Sequence, residues 1–341
     1  MSQQTNNPLV TVVVVPRESF NDFTMVVQRI FDVTSPIFKM LIMEGHAPKN
    51  YSKELYAIQQ KYSDRCKIVT SDRWKFPHEF VNDSLALIDT KYACFIDNDV
   101  EVLEGWLENL VKTAEEKKAD CIHPIYLTVK LSDPKRTIHI AEGQWFKEKR
   151  GDKWFIDTIA TYSGVELKDY PHKEARRSDF FEWHCVMFSK ELLNKIGPLE
   201  DMNVAEHMDY ALMIEKAGYP IWIEPKAVVA YDYARIWRLR GADRKYLLFR
   251  WNLEKAKASH QILAKKWNLD PECYLRRENF LEEHSEKVKS MNLVTRTINK
   301  IRRIFGMGNM PLKLKPMPKT ASHLAFEKHL AEVKKGHGTD L

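Results

Sequence analysis

The sequence predicts an α/β fold in which helices flank a mostly parallel sheet, with a helical extension at the C-terminal end. Apolar strand segments alternate with amphipathic helical segments through about the first 125 of the 341 residues, which is typical of a parallel sheet. Residues 10–15 are an unbroken β-branched run that ends at Pro16, as expected of a strand buried on both faces. After residue 235 the chain shows helical patterns and one Pro/Lys-rich stretch.

Each predicted element is bounded by a change of pattern. The predicted strands of the first half are 10–15, 38–43, 66–70, 92–96 and 120–125, and the helices between them are 21–31, 52–62, 78–87 and 104–116. In the second half we predict a strand at 185–188, helices at 190–196 and 207–217, and strands at 221–224 and 227–230. Gly197 and Gly218 end the two helices, as glycine commonly does.

The bulk composition indicates a soluble globular protein, with 44% hydrophobic and 29% charged residues. The five cysteines are scattered and form no C-x-x-C pair, which argues against a disulfide framework or a zinc site and for a reducing compartment. The polar start MSQQTNNP leads into an apolar run too short to span a bilayer, without the layout of a signal peptide. We therefore expect a cytoplasmic protein.

The net charge of +6 is concentrated in the tail. From Ser285 onward the chain holds 12 Lys or Arg and 4 Asp or Glu, so the preceding body is close to neutral. This distribution predicts an anionic partner for the tail and argues against a nucleic-acid-binding body.

Two aspartates, Asp97 and Asp99, follow a predicted strand in the stretch CFIDNDVEVLEGWLENL. In parallel sheets ligands bind beyond the carboxyl ends of the strands, which is where this pair lies. Carboxylates two positions apart can present oxygens to one Mg²⁺ or Mn²⁺ ion, which can hold a diphosphate and act as a Lewis acid. The alternative is that they cap the next helix, although Glu104 lies nearer to it.

Several segments resemble a known family. VTVVVVPRE, FVNDSLAL and YACFIDNDVEVLEGWLENLV are similar to the nucleotide-sugar half of GT-A glycosyltransferases of family 2. HCVMFSKELLNKIGPLED and AEHMDYALMIEKAGYPIWIEPKAVVAY follow the order of the second half, so the resemblance covers about residues 9–235. It implies a GT-A domain at 1–235, with a nucleotide-sugar half at about 1–125 and an acceptor half at 126–235. A helical region at 236–341 would follow.

The resemblance implies that Asp97, Asn98 and Asp99 form the D-x-D motif that binds the nucleotide-sugar and a metal ion, Mn²⁺ or Mg²⁺. In some members a histidine after the P-x-A-V-V strand completes the metal shell. This chain has Tyr231 and then Asp232 there, and hard cations accept carboxylate oxygen. Asp232 is therefore a candidate third ligand.

The second acidic motif departs from the family pattern E-D-x-D, in which the second acid is the base of inverting transfer. Here it is Glu206-His207-Met208-Asp209, so His207 stands at the position of that base. A histidine is a suitable base near neutral pH. His207 could instead contact metal or phosphate, which would leave Asp209 or Glu206 to take the acceptor proton, or it could be a purely structural histidine.

The donor-binding loops also differ from the family. Pro16, Arg17 and Glu18 replace the usual proline, threonine, tyrosine and asparagine; Arg17 could approach a phosphate and Glu18 a ribose hydroxyl, or both could be solvated loop charges. Glu44 takes the place of an Asp-Asp-Gly-Ser type segment and could contact the base, while Asn82 is a further candidate on a helix. The resemblance favours a UDP-sugar and leaves the base open.

Candidate acceptor or lid residues come from three places. The preferred group precedes the strand 185–188: Glu182, Trp183 and His184. A second group, on the segment 126–182, could equally pack within its own domain: His139, Glu142 and Trp145. Arg250 and Trp251 resemble the end of the Q-x-x-R-W motif of processive members, but Leu247 replaces the glutamine, which argues against processive synthesis.

Residues 292–307 predict a basic amphipathic helix. An apolar stripe is formed by Val294, Ile298, Ile301 and Phe305, and basic residues recur on another face. Such a helix can lie in an anionic membrane surface; the competing interpretation is docking on the catalytic domain or a second subunit. A Pro/Lys-rich linker, MPLKLKPMPKT, follows.

The predicted function is metal-dependent transfer of a sugar from a nucleotide-sugar to a hydroxyl of a glycan or lipid-linked saccharide, with inversion, in the synthesis of a cell-surface polysaccharide. One alternative is a non-catalytic sugar-nucleotide-binding or membrane-associated scaffold, which the changed E-H-x-D motif favours. The other is a nucleotidyltransferase, which would normally carry a glycine-rich phosphate loop after the first strand; VVPRESF has no glycine.

Overall fold

A computed structural model describes residues 8–128, 130–232, 239, 241–290, 293–304 and 320–336. The strands within these ranges are β1 (Val10–Val15), β2 (Phe38–Met43), β3 (Cys66–Val69), β4 (Tyr92–Asp97), β5 (Val100–Val102), β6 (Cys121–Leu127), β7 (Ile138–Ile140), β8 (Gly143–Arg150), β9 (Lys153–Ala160), β10 (Arg176–Ser178), β11 (Cys185–Ser189) and β12 (Ile221–Tyr231). The helices are α1 (Phe23–Val33), α2 (Lys49–Lys61), α3 (Pro77–Leu85), α4 (Trp106–Lys117), α5 (Lys190–Ile196), α6 (Glu206–Lys216), α7 (Gly241–Arg250), α8 (Leu253–Trp267), α9 (Leu275–Ser290), α10 (Leu293–Ile304) and α11 (Ala321–Gly336).

The main sheet follows the order β10-β12-β6-β11-β4-β1-β2-β3. β1 pairs in parallel with β2 and β4, β2 with β3, and β6 with β12. β11 runs antiparallel between β4 and β6, and β8 and β9 form a separate hairpin. The predicted, mostly parallel sheet is confirmed. Because β11 is reversed, its amino end lies at the same edge as the carboxyl ends of its parallel neighbours.

The predicted helices of the sheet domain are confirmed, with ends shifted by up to three residues. The prediction of two strands at 221–224 and 227–230 is wrong, because β12 is one strand with a bulge between Glu224 and Val228. Pro225 lies within that bulge, where proline is tolerated because it cannot donate to the ladder. The hairpin β8–β9 escapes sequence prediction, because β8 ends in the charged run KEKR.

The core of the sheet is formed by the residues that the apolar runs predict. All six residues of β1 and all six of β4 are buried. Trp106, at the start of α4, is fully buried and its indole N–H donates to Thr34 Oγ1 at 2.9 Å. This bond fixes the helix after the D-x-D turn against the end of α1.

The C-terminal helices share a hydrophobic core with the sheet domain. Phe155 of β9, Met208 of α6, Leu263 of α8 and Phe326 of α11 belong to one buried cluster. This packing holds α8 beside the edge of the sheet where the candidate site lies.

The predicted basic helix 292–307 is described over 293–304, as α10; Phe305 and most of the Pro/Lys-rich stretch lie outside the described residues. Three isoleucines of α10 are exposed: Ile298 by 38%, Ile301 by 49% and Ile304 by 72%. None of the helices in the described part of the chain has both the length and the apolar content needed to cross a bilayer.

Candidate active site

A cavity of about 630 Å³ lies at the carboxyl ends of β1, β6 and β12 and at the amino ends of β11 and α6. Its walls come from sequence-distant segments: Arg17, Glu18, Thr128, His139, Thr158, Glu182, His184, Val204, Ala205, Glu206, His207, Tyr231, Arg250, Trp251, His260, Arg277 and Leu281. Its location is the one expected for a ligand site in an open α/β sheet.

Asp97 does not line this cavity but contacts two residues that do, Arg17 and His184. Cys185 of β11 is paired with Ile96 of β4, so the residue before β11, His184, lies opposite Asp97. The Asp97 N–H donates to the His184 carbonyl at 3.1 Å, and His184 Nδ1 is 2.8 Å from Asp97 Oδ2. Burial opposes the charge on His184, but the hydrogen bond to Asp97 raises the pKa of this imidazole. The ring of Tyr231 stacks on the imidazole of His184, with 4.4 Å between the ring centroids.

Arg17 joins the two acidic motifs. Its Nε is 3.4 Å from Asp97 Oδ2 and its Nη1 is 3.3 Å from Glu206 Oε1, and all three side chains are buried. Two motifs that are far apart in sequence therefore meet at a single guanidinium. The second oxygen of Glu206 is buried and has no hydrogen-bond partner among the described residues.

Asn98, between the two aspartates, hydrogen-bonds the backbone of the loop that follows β1. Its Oδ1 accepts from the backbone N–H of Arg17 at 3.0 Å, and its Nδ2 donates to the backbone carbonyl of Ser19 at 2.5 Å. The amide thus holds the loop after β1 against the D-x-D turn, which positions Arg17. Asp99 is buried beside it.

The loop before α6 presents Glu206 and His207 to the cavity. Ala205 has a positive φ of 62°, an uncommon conformation for a non-glycine residue, and it turns the chain into the helix. Asn203 supports this turn, since its N–H donates to Ser259 Oγ at 3.0 Å and its Nδ2 donates to the Arg250 carbonyl at 3.1 Å. The C-terminal helices therefore position the second acidic motif.

His207 lies beside an acid that the sequence places near the cleft. Its Nδ1 is 4.0 Å from Glu182 Oε2. Burial lowers the pKa of His207 below its ordinary value, although Glu182 acts in the opposite direction. Burial would raise the pKa of Glu182, but His207, His184 and His139 together hold it at about 2. The pair can therefore supply an ionised carboxylate next to a neutral imidazole.

Arg250 and Trp251 reach the cavity from the end of α7. The Trp251 indole N–H donates to Glu18 Oε2 at 2.7 Å. Arg250 is only 1% exposed, and its Nε and Nη1 have no hydrogen-bond partner among the described residues. Burial and the neighbouring Arg17 lower the pKa of Arg250. A buried guanidinium with free donors in a cavity wall is suited to an anionic ligand.

Residues 12–197 match the family model described as glycosyl transferase family 2, which is more than half of the chain. The chain belongs to glycosyl transferase family 2. No curated protein sequence matches it.

Two solved structures share the fold. One is the crystal structure of GalNAc-T7 with UDP, GalNAc and Mn²⁺, at a TM-score of 0.53 and 12% identity, covering 97% of this chain and 58% of that one. The other is the mannosyltransferase PcManGT from Pyrobaculum calidifontis in complex with GDP-Man and Mn²⁺, at a TM-score of 0.52 and 12% identity, covering 98% and 85%. The chain thus spans about 58% of the length of the first. The predicted GT-A fold is confirmed.

Asp209, a candidate base if His207 has another role, does not line the cavity of this family 2 chain. It is fully buried, and its oxygens accept from Lys266 Nζ at 2.9 Å and Trp267 Nε1 at 2.6 Å. Successive helix residues are about 100° apart, so Asp209 lies about 200° around α6 from His207. These hydrogen bonds tie α6 to the end of α8.

Three of the predicted donor contacts are engaged elsewhere in the fold. Glu44 accepts from Ser52 Oγ at 2.5 Å and from the His46 N–H at 2.9 Å. Asn82 exchanges hydrogen bonds of 2.8 and 2.9 Å with the backbone of Leu199. The Pro16 carbonyl accepts from the Tyr246 hydroxyl of α7 at 3.3 Å. These three residues and Asp232 do not line the cavity, unlike Arg17 and Glu18.

Some of the acceptor candidates line the cavity and others do not. Glu182, His184 and His139 line the cavity, whereas Trp183 packs in the core against Phe95 and Tyr210. The other two members of the second group also lie elsewhere: Glu142 accepts from Tyr170 and pairs with Arg176, and Trp145 lines a separate surface groove.

His260 of α8 and Arg277 of α9 line the cavity but are not predicted from the sequence. Arg277 Nη2 is 3.3 Å from Asp157 Oδ1 and 3.1 Å from Thr158 Oγ1, which ties α9 to β9. Neither residue belongs to a family motif, and the charged pattern of these helices is that of many solvated helices. Only the tertiary packing brings them to the site.

Proposed function

We propose that this family 2 chain is a metal-dependent glycosyltransferase that moves a sugar from a nucleotide-sugar, with a UDP-sugar favoured, to an acceptor hydroxyl. The observation that carries the proposal is the meeting of the D-x-D and Glu206–Asp209 motifs at Arg17, on one side of a cavity of about 630 Å³. The titles of the two similar structures name UDP and GDP-Man, each with Mn²⁺, which supports a nucleotide donor here.

The donor diphosphate would lie near Arg17 and Arg250. Arg250 has two unused buried donors, and the amino end of α6 favours negative charge nearby. Both side chains reach the cavity without belonging to the D-x-D motif. They would neutralise phosphate oxygens that the metal ion leaves uncovered.

Asp97 and Asp99 would hold the metal ion. Both are buried carboxylates at the exit of β4, which is the hard oxygen ligand set that Mg²⁺ and Mn²⁺ accept. No group of three or more ligating side chains occurs among the described residues. These residues therefore suit an ion that is held by one or two carboxylates and whose coordination shell is completed by substrate phosphates. When bound, the ion would neutralise the charge on the departing nucleoside diphosphate.

His207 would take the proton of the acceptor hydroxyl. Its Nδ1 faces Glu182, which leaves Nε2 to accept a proton, and the lowered pKa keeps the ring neutral at neutral pH. Glu182 would stabilise the imidazolium that forms. A base in the cavity fits a single displacement with inversion at the anomeric carbon, without a covalent intermediate.

The acceptor would be a growing glycan or a lipid-linked saccharide in the synthesis of a cell-surface polysaccharide. The exposed isoleucines of α10 and its basic residues Lys300 and Arg302 support binding to an anionic membrane surface, on the cytoplasmic face. Such binding would bring the cavity close to a lipid-linked substrate.

A thermal-shift screen of the full chain against UDP-, GDP-, CMP- and dTDP-sugars, each with and without Mn²⁺, tests the proposal. A ligand that binds only the folded state raises Tm by mass action. We expect a shift with one nucleotide class that needs Mn²⁺ and is lost in Asp97→Asn. Folded protein without any shift would contradict the proposal and favour a scaffold role.

A further inference from the structure

Arg17 already occupies the position of a counter-cation in this site. Its guanidinium is buried between Asp97, a proposed metal ligand, and Glu206 of the second motif, at 3.4 and 3.3 Å. Burial opposes its charge, but Asp97 and Glu206 outweigh that effect and raise its pKa, so Arg17 stays charged. The Asp97 Oδ2 atom that faces Arg17 also accepts from His184.

We propose that Arg17 holds Asp97 in a form with low affinity for a divalent cation, and that a nucleoside diphosphate releases it, so that metal and donor bind cooperatively. The inference rests on the proposed function, because it assumes that Asp97 ligates the metal ion. It assigns to Arg17 a positioning role: the residue acts on the metal through Asp97.

The electrostatic reason is direct. A divalent ion at Asp97 would lie within a few ångströms of the guanidinium, and like charges at that distance repel strongly in a buried site. A diphosphate changes this balance, since it offers Arg17 a bidentate anionic partner.

The cavity provides both the space and the partner for this exchange. Arg17 lines the large cavity as well as a small pocket of about 10 Å³ beside Asp97, so it lies at the boundary between them. Arg250 also lines the cavity, and its two unused buried donors mark a place where an anion would be stabilised. A diphosphate bound there would attract Arg17 away from Asp97.

The test is a titration of Mn²⁺ into the full chain, followed by the EPR signal of free Mn²⁺, without nucleotide and with UDP or GDP, after subtraction of the Mn²⁺ that the nucleotide binds in a protein-free titration. For the wild type we expect weak binding of Mn²⁺ alone and at least about tenfold tighter binding with one nucleotide. Arg17→Gln should bind Mn²⁺ alone at least about tenfold more tightly than the wild type, with a smaller effect of nucleotide. Arg73→Gln, at an exposed arginine paired with Glu79, is the matched control.

Arg17→Gln leaves buried carboxylates without their cation, so its folding is checked by circular dichroism. The double variant Arg17→Gln/Glu206→Gln removes one charge of each sign, and it replaces the single variant in the Mn²⁺ titration if the single variant does not fold. A folded variant that binds Mn²⁺ alone no better than the wild type would overturn the inference, as would a wild type whose Mn²⁺ affinity is unaffected by nucleotide. A wild type that binds no Mn²⁺ even with nucleotide would overturn the metal-dependent function itself.

Discussion

The end of β4 and the first turn of α6 each carry a buried aspartate from a family motif, but the two aspartates have different surroundings. Asp97 contacts Arg17 and His184, both of which line the cavity. Asp209 contacts Lys266 and Trp267, outside it. A carboxylate whose partners line the cavity can exchange those partners for a ligand, whereas one bonded to a neighbouring helix stabilises the fold.

The difference arises from the secondary structure that carries each motif. Asp97 is the last residue of β4, and Asp99 lies in the short turn that follows, so both carboxylates are placed at the exit of this strand. On a helix, residues two positions apart lie about 200° apart, so His207 and Asp209 face different neighbours. The change from acid to histidine in the E-H-x-D motif therefore falls on the position that faces the cavity.

The largest expected effect is that of Asp97→Asn. The variant keeps the shape of the side chain but removes the charge that would hold the metal ion, so kcat for transfer should fall by about 10³-fold or more. Steady-state kinetics with the donor found in the thermal-shift screen measures this loss. Asp201→Asn, at an exposed acid paired with Lys255, should keep wild-type kcat. Near-normal activity in Asp97→Asn would show that Asp97 has no catalytic role.

Next in size is His207→Gln, which removes the proposed base. We expect kcat to fall by about 10²–10⁴-fold with little change in the KM for the donor. His172→Gln, at a histidine bonded to Tyr162 away from the cavity, is the control. A large rise in KM with unchanged kcat would instead assign His207 to ground-state binding.

Asp209→Asn should act on stability. Its carboxylate accepts from Lys266 and Trp267, so the loss of charge should lower the free energy of unfolding by about 1–3 kcal/mol. We expect kcat per folded molecule to change by only a few-fold. Urea denaturation and kinetics on the same preparation measure both quantities, and Trp267→Phe should show a smaller loss of stability. A stable Asp209→Asn variant without activity would instead indicate that Asp209 is the catalytic base.

The smallest effect is expected far from the cavity, on α10. Ile301→Ser should weaken sedimentation with anionic phospholipid vesicles several-fold, because one exposed apolar side chain of the stripe is lost. Transfer to a soluble acceptor should be unchanged. Equal binding of Ile301→Ser and the wild type would favour docking of α10 on protein.

The sequence predicts the sheet well because the apolar runs of β1 and β4 are buried on both faces and leave a continuous pattern. It also predicts the D-x-D turn, since a local pattern carries both its chemistry and its place at the end of a strand. His184 is predicted only to lie near the cleft. Its pairing with Asp97 depends on the reversed strand β11, which no local pattern reveals.

The remaining site residues depend on long-range packing. Asn82 and Glu44 match the family loosely, but their hydrogen-bonding groups are used by Leu199 and Ser52. His260 and Arg277 come to the cavity only because α8 packs on β9 and α6, and because hydrogen bonds of Arg277 tie α9 to β9. A sequence pattern names the residue types at a site, while the direction in which each points depends on neighbours far along the chain.

The most direct test of His207 as the base is the pH dependence of kcat for the wild type and His207→Gln. Burial lowers the pKa of His207 below 6.5, so the ring should be neutral at neutral pH and become protonated only as the pH falls through that lowered value. We predict a wild-type kcat that is constant above pH 6.5 and falls below it, and a slow His207→Gln variant in which this fall is absent. A fall of the same shape in both proteins, at similar rates, would contradict the assignment.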